Sequence, residues 1–180
     1  MRRKILVATV LGAVALGIGV FVFVGTIEKD SATKIDAQSI KKMVHEYSTD
    51  ILTAKSASIT SKQLIVTEND EKSSTYDLPD NEFFLSIAPY VDQTHPCATH
   101  SLTGCQGEMV EKEFNVNITD KDGTVIVDET LKSQSNGFID LWLPRDTTYN
   151  ITVEHDGKTA ESEISTFETD DTCLTTMQLG

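Results

Sequence analysis

The chain is short of positive charge. It has 15 Lys and Arg residues against 28 Asp and Glu residues, which gives a formal net charge of −13 at pH 7. The part after residue 25 is more acidic still, because it holds every acidic residue and 12 basic ones, 12 − 28 = −16. Such a surface repels nucleic acid and anionic lipid headgroups and attracts cations. We therefore expect no nucleic-acid partner.

Several short motifs of enzyme active sites are also missing. The sequence has no GxSxG, HExxH, CxxC, GxGxxG or Walker phosphate-binding motif, and no internal repeat or low-complexity segment. These absences exclude the common serine hydrolase, zinc protease and nucleotide-binding motifs, and the missing CxxC counts against a dithiol redox enzyme. A binding protein is expected rather than an enzyme.

The N-terminus carries one long hydrophobic run. Three basic residues precede the uncharged segment ILVATVLGAVALGIGVFVFVG at 5–25. A helix of about 20 apolar residues crosses a hydrocarbon core of roughly 30 Å, and no small-residue cleavage site follows the run. We favour a single uncleaved membrane anchor at 1–25 with a tether at 26–34, while signal cleavage stays open. Basic residues remain cytoplasmic, so the rest is predicted to lie outside the membrane, in a periplasm or at a cell surface.

Residues 35–94 are predicted to form an α+β N-terminal domain. Asp36 suits the cap of a helix to about Leu52, because apolar residues recur at helical spacing over that stretch. The period then changes to two in SASIT, KQLIVTE and SSTYDLP, with a hairpin at 68–71. A unit of about 60 residues has a marginal core, which favours packing on a second copy as a homodimer.

Residues 113–180 are predicted to form a second domain, an antiparallel β-sandwich. Six apolar or alternating segments follow one another, and Asp-Gly or Asn-Gly lies at three of the junctions. These dipeptides favour tight hairpin turns because both turn residues adopt positive φ. The last segment is TCLTTMQL.

The loop at 95–112 concentrates metal-binding side chains. HPCATHSLTGCQGE contains Cys97 and Cys105 with His95 and His100, and the third cysteine, Cys173, lies in the last predicted strand. An odd number of cysteines outside the cytoplasm needs an explanation, which is a metal, a spare thiol beside one disulfide, or thiol chemistry. Thiolates with imidazole select Cu(I), and zinc is possible with the same ligands.

Longer segments resemble a known family. SITSKQLIVTENDEKSSTYDLP, FFLSIAPYVDQTHPC, HSLTGCQGE, GFIDLWLPRD and TFETDDTCLTTMQL are similar to the CueP family of extracytoplasmic copper-binding proteins. The resemblance implies that Cys97, Cys105 and Cys173 hold copper. It also implies a role in copper tolerance, delivery to a copper, zinc superoxide dismutase, and an N-terminal dimerisation unit like that of the periplasmic disulfide isomerases before a C-terminal β domain.

The leading hypothesis is a membrane-anchored copper chaperone or sequestering protein. It would hold Cu(I) through the three cysteines and could reduce Cu(II) with two thiolates. One alternative is a thiol–disulfide oxidoreductase or isomerase, and another is a surface module in which the cysteines only form a structural disulfide.

Overall fold

The computed structural model describes residues 33–180. The predicted anchor at 5–25 and residues 26–32 of the predicted tether lie outside the described residues. Over 33–180, one helix, α1 (Ala37–Ser48), accompanies a mostly β structure, in keeping with the predicted α+β class. The strands are β1 (Ser56–Ile59), β2 (Gln63–Thr67), β3 (Ser73–Asp77), β4 (Glu82–Ile87), β5 (His100–Ser101), β6 (Glu113–Asp120), β7 (Val125–Lys132), β8 (Ile139–Pro144), β9 (Thr148–His155), β10 (Lys158–Ser165) and β11 (Cys173–Leu174). Within this range no helix has the length and hydrophobicity needed to cross a bilayer.

Helix α1 begins where the sequence predicts. The Asp36 carboxylate accepts the backbone N–H of Ser39 at 2.9 Å, which confirms the cap. The helix ends at Ser48, four residues before the predicted end, because Asp50 adopts a φ of 58° that no α-helix continues. Its buried face packs on the first sheet, whose strand order is β3-β2-β1-β5.

The second sheet follows the predicted hairpins. Its order is β10-β9-β6-β7, with β6–β7 and β9–β10 as consecutive antiparallel pairs. Gly123 and Gly157 have positive φ in the turns of these pairs, as their Asp-Gly dipeptides predict. Alternate side chains such as Phe114, Val116 and Ile118 are buried in the largest of three hydrophobic clusters.

A third sheet joins strands from both predicted domains. Its order is β11-β4-β8, in which β4 runs antiparallel to β8 and parallel to β11. Strand β4 is buried on both faces. Phe83, Leu85 and Ile87 belong to the cluster of the second sheet, whereas Phe84 belongs to the cluster beneath α1. The sheet that faces β6 and β9 therefore includes a strand from before residue 95.

Two expectations about organisation stay predictions. The first is the division into domains with limits at 94 and 113, although the β4–β8 pair joins strands from the two sides of those limits. The second is the homodimer. The last segment differs from its predicted form, since only Cys173–Leu174 is strand and Gln178 makes an isolated parallel bridge to Tyr90.

Candidate metal centre

Four side chains converge where the first and third sheets meet. Cys97, His100, Cys105 and Cys173 each offer one ligand atom, and these atoms all lie within 4.8 Å of one another. All three cysteines are free thiols. The structure thus brings together four of the five residues predicted as ligands, from positions 76 apart in the chain at most (173 − 97 = 76).

His100 is fixed by strand pairing. It lies on β5 opposite Ile59 of β1, and its side chain is fully buried. Its backbone N–H donates to Thr172 Oγ1 at 3.0 Å, and the Thr172 hydroxyl donates to the carbonyl of Ile59 at 2.7 Å. Thr172, which directly precedes Cys173, therefore connects the Cys173 segment to the strands of His100 and Ile59.

Cys173 is held against the loop that carries Cys97. It pairs with Ser86 of β4, and the backbone N–H groups of Thr172 and Cys173 both donate to the carbonyl of Ala98, at 3.0 and 3.2 Å. Ala98 directly follows Cys97 in the sequence. These bonds set the distance between the two cysteines through the backbone, without the side chains.

Cys105 closes a short turn. Its backbone N–H donates to the Ser101 carbonyl at 3.0 Å, and the Ser101 N–H donates to the Cys105 sulfur at 3.4 Å. Two residues on, Gly107 lies against Gly137. A Cβ added to either glycine would come within 2.6 Å of the other's carbonyl oxygen. This close backbone approach locks the Cys105 loop onto the turn before β8.

Cys97 is the most open of the four. It is partly exposed, whereas His100, Cys105 and Cys173 are buried. Together with Cys173 it lines a cavity of about 290 Å³ whose wall also carries Glu163, Asp170 and Asp171. Acidic walls raise the local concentration of cations. An ion or an incoming ligand can reach the sulfurs from this side.

The spacing of the ligand atoms suits one metal ion. The sulfurs of Cys97 and Cys105 are 3.4 Å apart, and His100 Nδ1 lies 3.4 Å from the Cys173 sulfur. A tetrahedral ion about 2.3 Å from each sulfur would separate its ligands by roughly 3.7 Å. These two distances are within a few tenths of an ångström of that value, and pairs at the 4.8 Å limit would have to close by about 1 Å. Three sulfurs with one imidazole form a soft ligand set.

The three thiols do not titrate alike. Hydrogen bonding with the Cys173 thiol lowers the pKa of Cys105 to about 2, against the opposing effect of burial. The same hydrogen bond, and burial after it, raise the pKa of Cys173 far above its usual range. Burial raises the pKa of Cys97. Of the three thiols, Cys105 is therefore the one that loses its proton most readily.

His95 lies at the edge of this group, where hydrogen bonding with its side chain is one of the causes that lower the pKa of Cys105. Its ring packs edge-on against Phe138, with centroids 6.3 Å apart, while the His100 ring lies 4.5 Å from the same phenylalanine. His95 is not among the side chains whose ligand atoms lie within 4.8 Å. The ligand role assigned to it from the sequence remains a prediction.

Glu108 has a structural role near the loop. One of its carboxylate oxygens accepts the backbone N–H groups of three successive residues, Val91, Asp92 and Gln93, at 2.8 to 3.1 Å. These bonds hold the pKa of Glu108 below its usual range. They also fix the chain just before His95 and Cys97.

Sequence reasoning missed the groups behind His100. Ser86 on β4 lies 3.3 Å from His100 Nε2, and its hydroxyl donates to Asp140 Oδ1 at 2.6 Å. Each interrupts an apolar strand, FFLSI and FIDLWL. A polar residue at a position of this kind indicates a buried partner, and that signal could have found them.

Comparisons with known proteins agree with the site. A family model described as "Periplasmic copper-binding protein CueP" matches residues 38–178. Among solved structures, "Crystal Structure of S.CueP" is 42% identical, with a TM-score of 0.73, and the match covers 78% of this chain and 88% of that chain. A search of curated proteins gave no match. The family resemblance stated from the quoted segments is confirmed.

The family description corrects one prediction. It places these proteins in the periplasm, so the predicted location at the cell membrane, with a single N-terminal span, is wrong. The prediction depended on the length of the hydrophobic run at 5–25. Length decides whether a helix could reach across a bilayer, and an export signal after basic residues shares the same pattern.

The contact between Gly107 and Gly137 can be tested with a matched substitution. Gly137 has a φ of 80° and Gly123 a φ of 82°, but nothing lies within 4 Å of a Cβ added at Gly123. Gly137→Ala and Gly123→Ala share the same backbone strain, and only Gly137→Ala adds a clash. Gly137→Ala is expected to lower the free energy of unfolding by about 1–3 kcal/mol more than Gly123→Ala. Urea denaturation of both variants measures the difference, and equal losses would show that the contact is not tight.

Proposed function

Because the chain belongs to the CueP family of periplasmic copper-binding proteins, we propose that it binds one Cu(I) ion through Cys97, Cys105, Cys173 and His100. The observation that carries the proposal is the convergence of these four ligand atoms within 4.8 Å. The family match extends through all four residues. Copper held in this way would be sequestered, which is the basis of copper tolerance.

Ligand chemistry supports Cu(I) over harder ions. Thiolate and imidazole bind Cu(I) and Zn(II) strongly, whereas Mg²⁺ and Ca²⁺ prefer oxygen ligands. Zinc commonly uses three thiolates and one imidazole in closed, four-coordinate sites. The partly exposed Cys97 leaves this site open on one side. A ligand that is open to solvent suits an ion that must later leave.

Transfer to an acceptor would begin at Cys97. An incoming ligand in the acidic cavity meets this sulfur and Cys173 first, while His100 lies buried behind them. The acceptor could bind copper before the last bond to this protein breaks. A copper, zinc superoxide dismutase is the acceptor that the family resemblance suggests.

Copper titration with ligand variants tests the proposal. The purified, reduced chain is titrated with Cu(I) against a colorimetric chelator under nitrogen, beside a variant with all three cysteines changed to serine. The wild type should take up one equivalent tightly, and the triple variant none. His100→Ala should weaken binding by at least about tenfold, or 1.4 kcal/mol, because one bond to the ion is lost.

His45→Ala is the matched control in this titration. His45 is exposed on α1 and lies outside the ligand cluster, so the affinity for Cu(I) should stay near that of the wild type. Equal and weak uptake by the wild type and the triple serine variant would refute copper binding. The cysteines would then have the structural role of the alternative hypothesis. A zinc titration run in parallel shows which ion the site prefers.

Copper binding should release protons. The raised pKa values of Cys97 and Cys173 favour the protonated thiol at both positions in the metal-free protein. Binding to three thiolates displaces about two protons per copper. The affinity for Cu(I) should therefore rise with pH between 6 and 8. Calorimetry in buffers of different ionisation enthalpy counts the protons, and binding without proton release would contradict a three-thiolate site.

Reduction of Cu(II) is a second candidate function, favoured by the 3.4 Å distance between the sulfurs of Cys97 and Cys105. Two thiolates would give one electron each to two Cu(II) ions and form one disulfide, leaving two Cu(I). Mixing the reduced protein with excess Cu(II) should consume two thiols for each pair of Cu(I) ions formed. A thiol assay measures the thiols consumed, and a Cu(I)-specific chelator measures the Cu(I) formed. Unchanged thiol content would exclude the reaction.

A further inference from the structure

The buried side of His100 faces a short chain of hydrogen bonds. His100 Nε2 lies 3.3 Å from Ser86 Oγ, and Ser86 Oγ lies 2.6 Å from Asp140 Oδ1. His100 and Ser86 are both fully buried. The other ring nitrogen, Nδ1, faces the cluster at 3.4 Å from the Cys173 sulfur. The two nitrogens of one imidazole therefore meet two different kinds of partner.

The hydrogens in this chain can be assigned from the donors around Asp140. Its second oxygen, Oδ2, receives the Ser48 hydroxyl at 2.7 Å and the Gln134 amide N–H at 3.2 Å. A carboxylate accepts hydrogen bonds and donates none. The single hydroxyl hydrogen of Ser86 therefore points at Asp140. Ser86 Oγ is left with lone pairs toward His100, so the hydrogen between them must come from Nε2.

We propose that Asp140, acting through Ser86, holds His100 in the tautomer protonated on Nε2. A neutral imidazole carries one hydrogen, so Nδ1 then presents its lone pair to the three sulfurs and to a metal among them. Asp140 and Ser86 are positioning residues, since their side chains act on the cluster only through the far side of the His100 ring. The inference deepens the proposed copper site.

The opposite tautomer would disable the fourth ligand. A hydrogen on Nδ1 would point at a sulfur and occupy the position through which the ring binds the ion. Metal-binding histidines are commonly oriented by a hydrogen bond from the other ring nitrogen. Here the acceptor is the Ser86 hydroxyl, whose hydrogen points at the Asp140 carboxylate. The orientation of the His100 ring therefore depends on a residue two hydrogen bonds away from the ring.

Nitrogen NMR of the histidine rings tests the assignment in the metal-free, reduced protein. In the wild type, two-bond couplings should place the His100 hydrogen on Nε2. A wild-type ring protonated on Nδ1 would overturn the proposal, and this measurement needs no variant to fold.

Two substitutions should change the tautomer. Asp140→Leu removes the acceptor, so the Ser86 hydroxyl becomes free to donate to Nε2 and the hydrogen should move to Nδ1. Ser86→Ala removes the partner of Nε2 and should raise the Nδ1–H population too. In the Ser86→Ala background, Asp140→Leu should have no further effect, because Asp140 acts through Ser86.

Ser48→Ala is the matched control. It removes another hydrogen bond to the Asp140 carboxylate, but not the one on the path to His100. The tautomer should remain that of the wild type. A network that only satisfies buried polar groups would give similar small effects for Ser48→Ala and Ser86→Ala, with no exchange of the ring hydrogen, and that result would overturn the positioning role.

Copper affinity separates this inference from the proposed function. Ser86→Ala and Asp140→Leu should each weaken Cu(I) binding by about 10–100-fold relative to Ser48→Ala. If the wild type binds copper but the variants keep both the tautomer and the affinity, the inference fails and the copper site stands. If the tautomers change as expected while the wild type binds no copper, the proposed function fails and the assignment of the ring hydrogen stands.

Discussion

Strand β4 is the element on which both the fold and the site depend. Its odd-numbered residues, Phe83, Leu85 and Ile87, pack into the cluster of the second sheet, and Phe84 packs beneath α1. Ser86 points the same way as Phe84 and meets His100. The remaining edge of β4 pairs with the strand of Cys173. Since one strand positions a cysteine and the partner of a histidine, the packing of two hydrophobic clusters also sets the spacing of the metal ligands.

The site combines a rigid inner half with an accessible outer half. His100, Cys105 and Cys173 are buried, and backbone hydrogen bonds or a glycine contact fix the segments that carry them. Cys97 borders the acidic cavity. In the proposed copper site, the buried ligands would supply the binding strength, since their fixed positions would cost little further entropy when an ion enters. Exchange requires a ligand that another molecule can replace, and Cys97 is the most exposed of the four described ligands.

Features set by neighbours in the sequence could be predicted, whereas those set by distant pairing could not. The Asp36 cap and the hairpins at 68–71 and 123 depend on local backbone chemistry, and the structure has them. The ligand types in the loop were also evident, yet the sequence spacing did not show that pairing of β5 with β1 fixes the position of His100. The β4–β8 pair joins residues more than 50 positions apart, as Ser86 and Asp140 show at a separation of 54. No local pattern carries that information.

The protonation of the thiols and the exposure of Cys97 together favour the exchange of a bound ion at the side of the site that faces the cavity. Hydrogen bonding with Cys173 favours the thiolate form of Cys105 in the metal-free cluster. In the proposed site, copper would replace the hydrogens of the other thiols, so protons and copper would compete for the same sulfurs. Cys97 has a raised pKa and is the most exposed of the four side chains, so a proton or an incoming ligand would reach it before the buried sulfurs. Loss of the bond to Cys97 would leave copper on a smaller set of buried ligands, from which an acceptor in the cavity could take it.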